Sequence, residues 1–122
     1  MEINGRDYAF LLTAGAAMDI ADMCPGKDLR NFAALLDGSA CPTLEGRAAF
    51  ICALSRGWEE ARAFEEPGYK PQPLTPAFLR IVDLATFNDA LAAAAAAFKE
   101  GLETTVQAKA KKNGAGEEEL NL

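Results

Sequence analysis

Apolar residues recur along this chain with two different periods, and the change from one to the other marks its first element boundary. In residues 1–12, Tyr8, Phe10 and Leu12 fall on one face of an extended segment. Ahead of them, Asn4-Gly5 is the dipeptide that best tolerates the two positive φ angles of a type I′ turn. The region therefore predicts a β-hairpin whose first strand, residues 1–3, is very short. Two strands alone are marginal in water, so the aromatic face needs helices to cover it.

From Gly15 the period lengthens. Ala17, Ile20, Ala21 and Cys24 share one helical face, closed by Pro25-Gly26. Asp28 can cap a second short helix, with Leu29, Phe32, Ala33 and Leu36 inward and Gly38 as its stop. The strongest stripe follows Thr43, a good N-cap. Phe50, Ile51, Leu54, Trp58, Ala61 and Phe64 line one side at about 100° per residue, leaving Glu45, Cys52, Arg56 and Glu59 on the other. Gly46 reads as a weak spot in the first turns.

Residues 65–73 (EEPGYKPQP) contain three prolines, which forbids a helix or a central strand and predicts an interhelical loop. Thr75-Pro76 pairs an N-cap with proline at the first helical position, opening a short helix with Phe78, Leu79, Val82 and Ala85 inward. Thr86 can cap a last, alanine-rich helix in which Phe87, Leu91, Ala94, Phe98, Leu102 and Val106 repeat at spacings of three and four. From 107 the apolar period is gone. The expected fold is mainly α: a short N-terminal β-hairpin packed on a bundle of about five helices over residues 1–106, with a disordered charged tail at 107–122.

Composition narrows the function classes. Eighteen acidic against 12 basic residues leave a net charge of −6 with no basic face, which argues against nucleic acid. No apolar run approaches the roughly 20 residues that span a bilayer. The three cysteines, Cys24, Cys41 and Cys52, form no CxxC pair, so no disulfide framework or zinc site is expected. Cys24 reads as a buried hydrophobe and Cys52 as an accessible thiol on the polar side of its helix. Histidine is absent altogether, which removes the side chain best suited to proton transfer near neutral pH and the commonest metal ligand. Carboxylate pairs such as Glu59-Glu60 read as solvated. No catalytic, metal or cofactor residue is expected, and an enzyme is not the expected reading.

The order of these features resembles the tail assembly chaperones of long-tailed, siphovirus-type bacteriophages and of the prophages derived from them. The likeness spans roughly residues 1–106. It opens on MEINGRDYAFLLTAGAAMDIADMCP, similar to the family's ING-(K/R)-x-Y-x-F hairpin leading into a short helix. It continues through the FAALL helix, a central amphipathic helix, a proline-containing loop and a TPxxL turn before an alanine-rich last helix. The resemblance implies a protein of the bacterial host cytoplasm that is not retained in the virion. It implies binding to the tape-measure protein, recruitment of tail-tube protein, and a homo-oligomer. It also implies a ribosomal frameshift near the gene's 3′ end, for which Lys111-Lys112-Asn113 is a candidate position. The expected mechanism is helix-in-groove binding, with self-association through the hairpin edge (Tyr8, Phe10) or the last helix (Leu91, Phe98, Leu102). A different small helical adaptor or regulator, antitoxin-like in character, remains open beside it.

Overall fold

The computed structural model describes the backbone of residues 1–119 and the side chains of residues 1–104. The charged tail expected at 107–122 lies outside the described side chains. The chain is mainly helical, with a small antiparallel hairpin at its start.

Strands β1 (Glu2–Ile3) and β2 (Arg6–Asp7) pair Glu2 with Asp7 and Ile3 with Arg6. Asn4 (φ 52°) and Gly5 (φ 83°) supply the two left-handed residues of the turn. The hairpin is closed by the terminal amine, which reaches the Asp7 carboxylate at 2.9 Å and the Tyr8 carbonyl at 2.8 Å. Pairing stops sooner than the sequence pattern predicts. The Tyr8 N–H still donates to the Met1 carbonyl at 2.7 Å, but Phe10 and Leu12 lie beyond the hairpin against the core, where the Leu11 N–H donates to the Leu54 carbonyl at 3.1 Å. Their apolar face is covered by helix instead of by a longer strand.

Helix α1 (Ala14–Met23) starts where Thr13 Oγ1 accepts from the Ala16 N–H at 3.0 Å. Cys24 follows it as a buried residue, as expected. Two 3₁₀ turns, Pro25–Lys27 and Leu29–Asn31, lead into α2 (Phe32–Asp37), which ends on Gly38 at φ 90°. Asp28 caps the second of these turns. Because that turn is tighter than an α-helix, the inward position of α2 falls on Leu35, and Ala33 is exposed.

Helix α3 (Thr43–Glu65) is the axis of the fold, surrounded by α1, α2, α4 (Pro76–Leu79) and α5 (Leu84–Glu119). Thr43 is its first residue and makes no capping bond. The single apolar stripe read from the sequence is corrected here. Every residue from Phe50 to Ser55 is buried, as are Gly57 and Glu59, while Trp58 is 37% and Phe64 is 91% exposed. A helix packed on several sides buries its whole middle and releases only its end, so Cys52 and Glu59 go inward. The Cys52 thiol is not accessible, and burial, slightly offset by Arg56, pushes its pKa up to about 11.

Close crossing fixes how the layers meet. A Cβ on Gly57 would lie 2.2 Å from the Leu11 carbonyl oxygen and 3.3 Å from Ala16 Cβ. Gly46, similarly, is buried where a Cβ would meet the Leu35 carbonyl at 2.2 Å, so it is a packing site more than a weak spot. We expect Gly57→Ala to cost about 2–3 kcal/mol, the scale of overpacking at a rigid backbone contact. Urea denaturation measures it, and a loss under about 0.5 kcal/mol would mean that the 8–13 segment simply lifts away.

Asp83, and not Thr86, caps α5: the Thr86 N–H donates to Asp83 Oδ1 at 2.7 Å. Hydrogen bonds from Thr86, side chain first and backbone second, hold the Asp83 carboxyl below the usual carboxylate range. Phe87, Ala90, Ala94 and Phe98 face inward, and the Phe98 ring lies tilted against Phe32 (4.8 Å) and edge-on to Phe50 (5.2 Å). Among the described residues no helix is long and apolar enough to cross a membrane.

Candidate protein-docking groove

An open groove of about 540 Å³ lies beside the first two turns of α3. One wall is α3 itself, with Leu44, Glu45, Ala48 and Ala49. The other is α4, the turn after it and the start of α5, with Pro76, Leu79, Arg80, Val82, Leu84 and Phe87. Local chemistry builds that second wall. The Leu74 N–H donates to Ser55 Oγ at 2.8 Å, pinning the end of the proline-rich loop to α3. Thr75 Oγ1 then accepts from the Phe78 N–H at 3.1 Å, and Pro76 supplies the first helical residue. One turn later Asp83 starts α5. The short α4, the turn after it and the first turn of α5 together form this wall.

Buried Leu79 and Phe87 form the floor, and Ala48 and Ala49 keep the α3 side shallow. The rim carries Leu44, 55% exposed, and Leu84, 62% exposed. Ile81, 75% exposed, lies outside the groove and lines a smaller, more polar depression with Glu2, Ile3 and Asn4 of the hairpin. Two large aliphatic side chains held in water at the rim of an apolar concavity are what a protein-binding face presents. Among the described residues, Glu45 and Arg80 are the only charged ones in the lining, one on each wall.

A second feature was missed by sequence reasoning. Glu59 is buried, and its Oε1 accepts from the Tyr69 hydroxyl (2.5 Å), the Gln72 N–H (2.9 Å) and the Arg6 guanidinium (3.2 Å). Arg6 also bonds the Gln72 side chain and reaches its carbonyl at 3.4 Å. Arg62 lies over the Tyr69 ring at 4.4 Å. One carboxylate therefore ties the hairpin, α3 and the proline-rich loop together, and Tyr69 is an anchor, not merely a large side chain in a linker. The available signal was the run Cys52, Ser55, Glu59, small or polar residues spaced three and four apart along one more face of α3.

None of the five residues expected at a protein interface lines the groove. Phe98 is 4% exposed in the core, and Tyr8, Phe10, Leu91 and Leu102 are partly buried and packed against it. The 3–4 spacing that suggested an oligomer seam on α5 is satisfied within the chain by Phe32, Phe50 and Leu12. Leu12 fits against Gly101, where an added Cβ would stand 2.6 Å from Leu12 Cβ. The exposed apolar residues at the groove, Leu44 and Leu84, sit in the first turns of α3 and α5, outside any long period. No protein-family model, no curated protein and no solved structure matches the chain.

Proposed function

We propose that the chain is a non-enzymatic protein-binding module, a tail assembly chaperone of a long-tailed phage or prophage, working in the cytoplasm of the bacterial host. The observation that carries the binding role is the open apolar groove between α3 and the α4–α5 turn, rimmed by exposed Leu44 and Leu84. An open groove with this apolar lining suits the apolar ridge of an amphipathic helix, whose residues at i, i+3, i+4 and i+7 would rest on Leu79, Val82 and Phe87. The named client, the tape-measure protein, comes from the resemblance of residues 1–106 to the chaperone family. A tape measure is a long helical chain that needs its apolar stripe covered while tube subunits gather on it, and an acidic coat keeps such an assembly dispersed.

Co-expression with the tape-measure protein of the same genome tests the proposal. The full chain is expected to raise the amount of soluble tape measure and to co-purify with it. Leu84→Asp, on the exposed rim, is expected to abolish both while leaving the helical circular dichroism unchanged. Soluble tape measure in equal amount with and without the chain would reject the chaperone role. The antitoxin-like alternative separates on the genome: a toxin gene alongside, and no tape-measure gene nearby, would favour it.

A further inference from the structure

The docking groove carries the pattern of a surface that pairs with itself. Its two walls are unlike in charge: Glu45 stands on the α3 wall and Arg80 on the α4–α5 wall. Among the described residues neither side chain makes an ion pair or a side-chain hydrogen bond, although acid–base pairs such as Arg56–Asp19 and Arg62–Glu66 form elsewhere on the surface. A two-fold axis running along the groove sets the α3 wall of one copy against the α4–α5 wall of the other. The wall with Glu45 then faces the wall with Arg80 of the second copy, and the reverse, so an acid–base contact between them is made twice. The same operation places each exposed Leu84 toward the other copy's Leu44 and over its apolar floor.

Overall charge points to the same face. The chain carries −6, so two copies repel over most of their surface. The groove lining holds one acid and one base and is locally neutral, so two copies approach there at low electrostatic cost. We infer that the client-free protein is a symmetric homodimer closed through this groove, with reciprocal Glu45–Arg80 pairs at its rim and Leu44 and Leu84 buried at its centre. The dimer does not depend on which client the groove serves. A client helix and the second copy compete for one surface, so the dimer is the stored form that keeps the apolar rim out of water.

Sedimentation equilibrium of the full chain, across a concentration series at low salt, tests this with charge reversals. Wild type is expected to dimerise. E45R and R80E are each expected to weaken the dimer about tenfold or more, because each turns two attractive contacts into two repulsive ones. The double variant E45R/R80E, with the pairs rebuilt in reverse, is expected to return to within about threefold of wild type, as reciprocal exchange of partners requires. E45R is the sharper single variant. It brings the net charge from −6 to −4, so general repulsion falls, and only a specific contact makes it the weaker dimer. L84D should be monomeric and folded by circular dichroism. A wild-type monomer at all concentrations overturns the inference, as does a dimer that E45R leaves unchanged or strengthens. A monomeric chain whose L84D variant loses the tape-measure protein would leave the groove to the client alone. A dimer that obeys the charge swap but ignores the tape-measure protein would reject the chaperone reading and retain this one.

Discussion

Phe98→Asp is expected to unfold the chain, not to yield a well-folded monomer. The ring is 4% exposed and in contact with Phe32 and Phe50 at the crossing of α2, α3 and α5. Removing it costs about 3–5 kcal/mol by the measure of large-to-small core changes. The aspartate must in addition bury a charge or take up a proton, which adds several more. Small domains are stable by only about 5–15 kcal/mol, so the sum reaches the whole margin. Far-ultraviolet circular dichroism at 25 °C and a flat urea curve are the readouts. Phe64→Asp is the matched control: the same chemistry at a ring 91% exposed should shift stability by no more than about 0.5 kcal/mol. A folded Phe98→Asp protein with wild-type helicity would restore the last helix as an exposed seam and remove the core described above.

The contrast between Phe98 and Phe64 shows what kind of information the chain displays locally. Asn4-Gly5 marks its turn, and Thr75-Pro76 its helix start, because each acts through backbone geometry within four residues. Cys24 is legible as an interior residue because it closes a simple face of α1. Helix α3 is different. It is packed on several sides, so its middle has no solvent face from which a period can be phased, and its last turn is free of all of them. Periodicity alone therefore placed Phe64 and Trp58 inward, and Cys52 and Glu59 outward, when the surroundings reverse both. The groove is harder still, since its lining comes from three short stretches, 44–49, 76–82 and 84–87, that meet only after the chain has folded back. The one local hint is that Leu44 and Leu84 follow close on helix starts, on a turn that carries none of the core stripe.

Glu59→Ala is the change that isolates the least legible feature, and its expected cost is about 3 kcal/mol. Three donors converge on Glu59 Oε1 from residues 53, 13 and 10 positions away, so no window of sequence contains the set. Breaking a buried pair by removing one partner costs about 3–5 kcal/mol when the other is left buried. Here the Arg6 side chain is 35% exposed and can regain water, which argues for the lower end of that range. Its Nε, by contrast, is buried without a partner, so the guanidinium depends on its other nitrogens for every bond it makes. The Gln72 N–H and the Tyr69 hydroxyl lose their acceptor together, and the loop at 65–73 should come away from α3 before the core melts. Chymotryptic cleavage after Tyr69 is therefore expected to quicken well before global unfolding, while Arg6→Met should show a smaller version of both effects. The double variant should cost less than the two single changes added together, by about 1–2 kcal/mol, the signature of residues sharing one network. Strict additivity, with Tyr69 no more open to cleavage than in wild type, would mean that packing by Leu74 and Ser55 holds the loop and that the carboxylate merely sits where it finds donors.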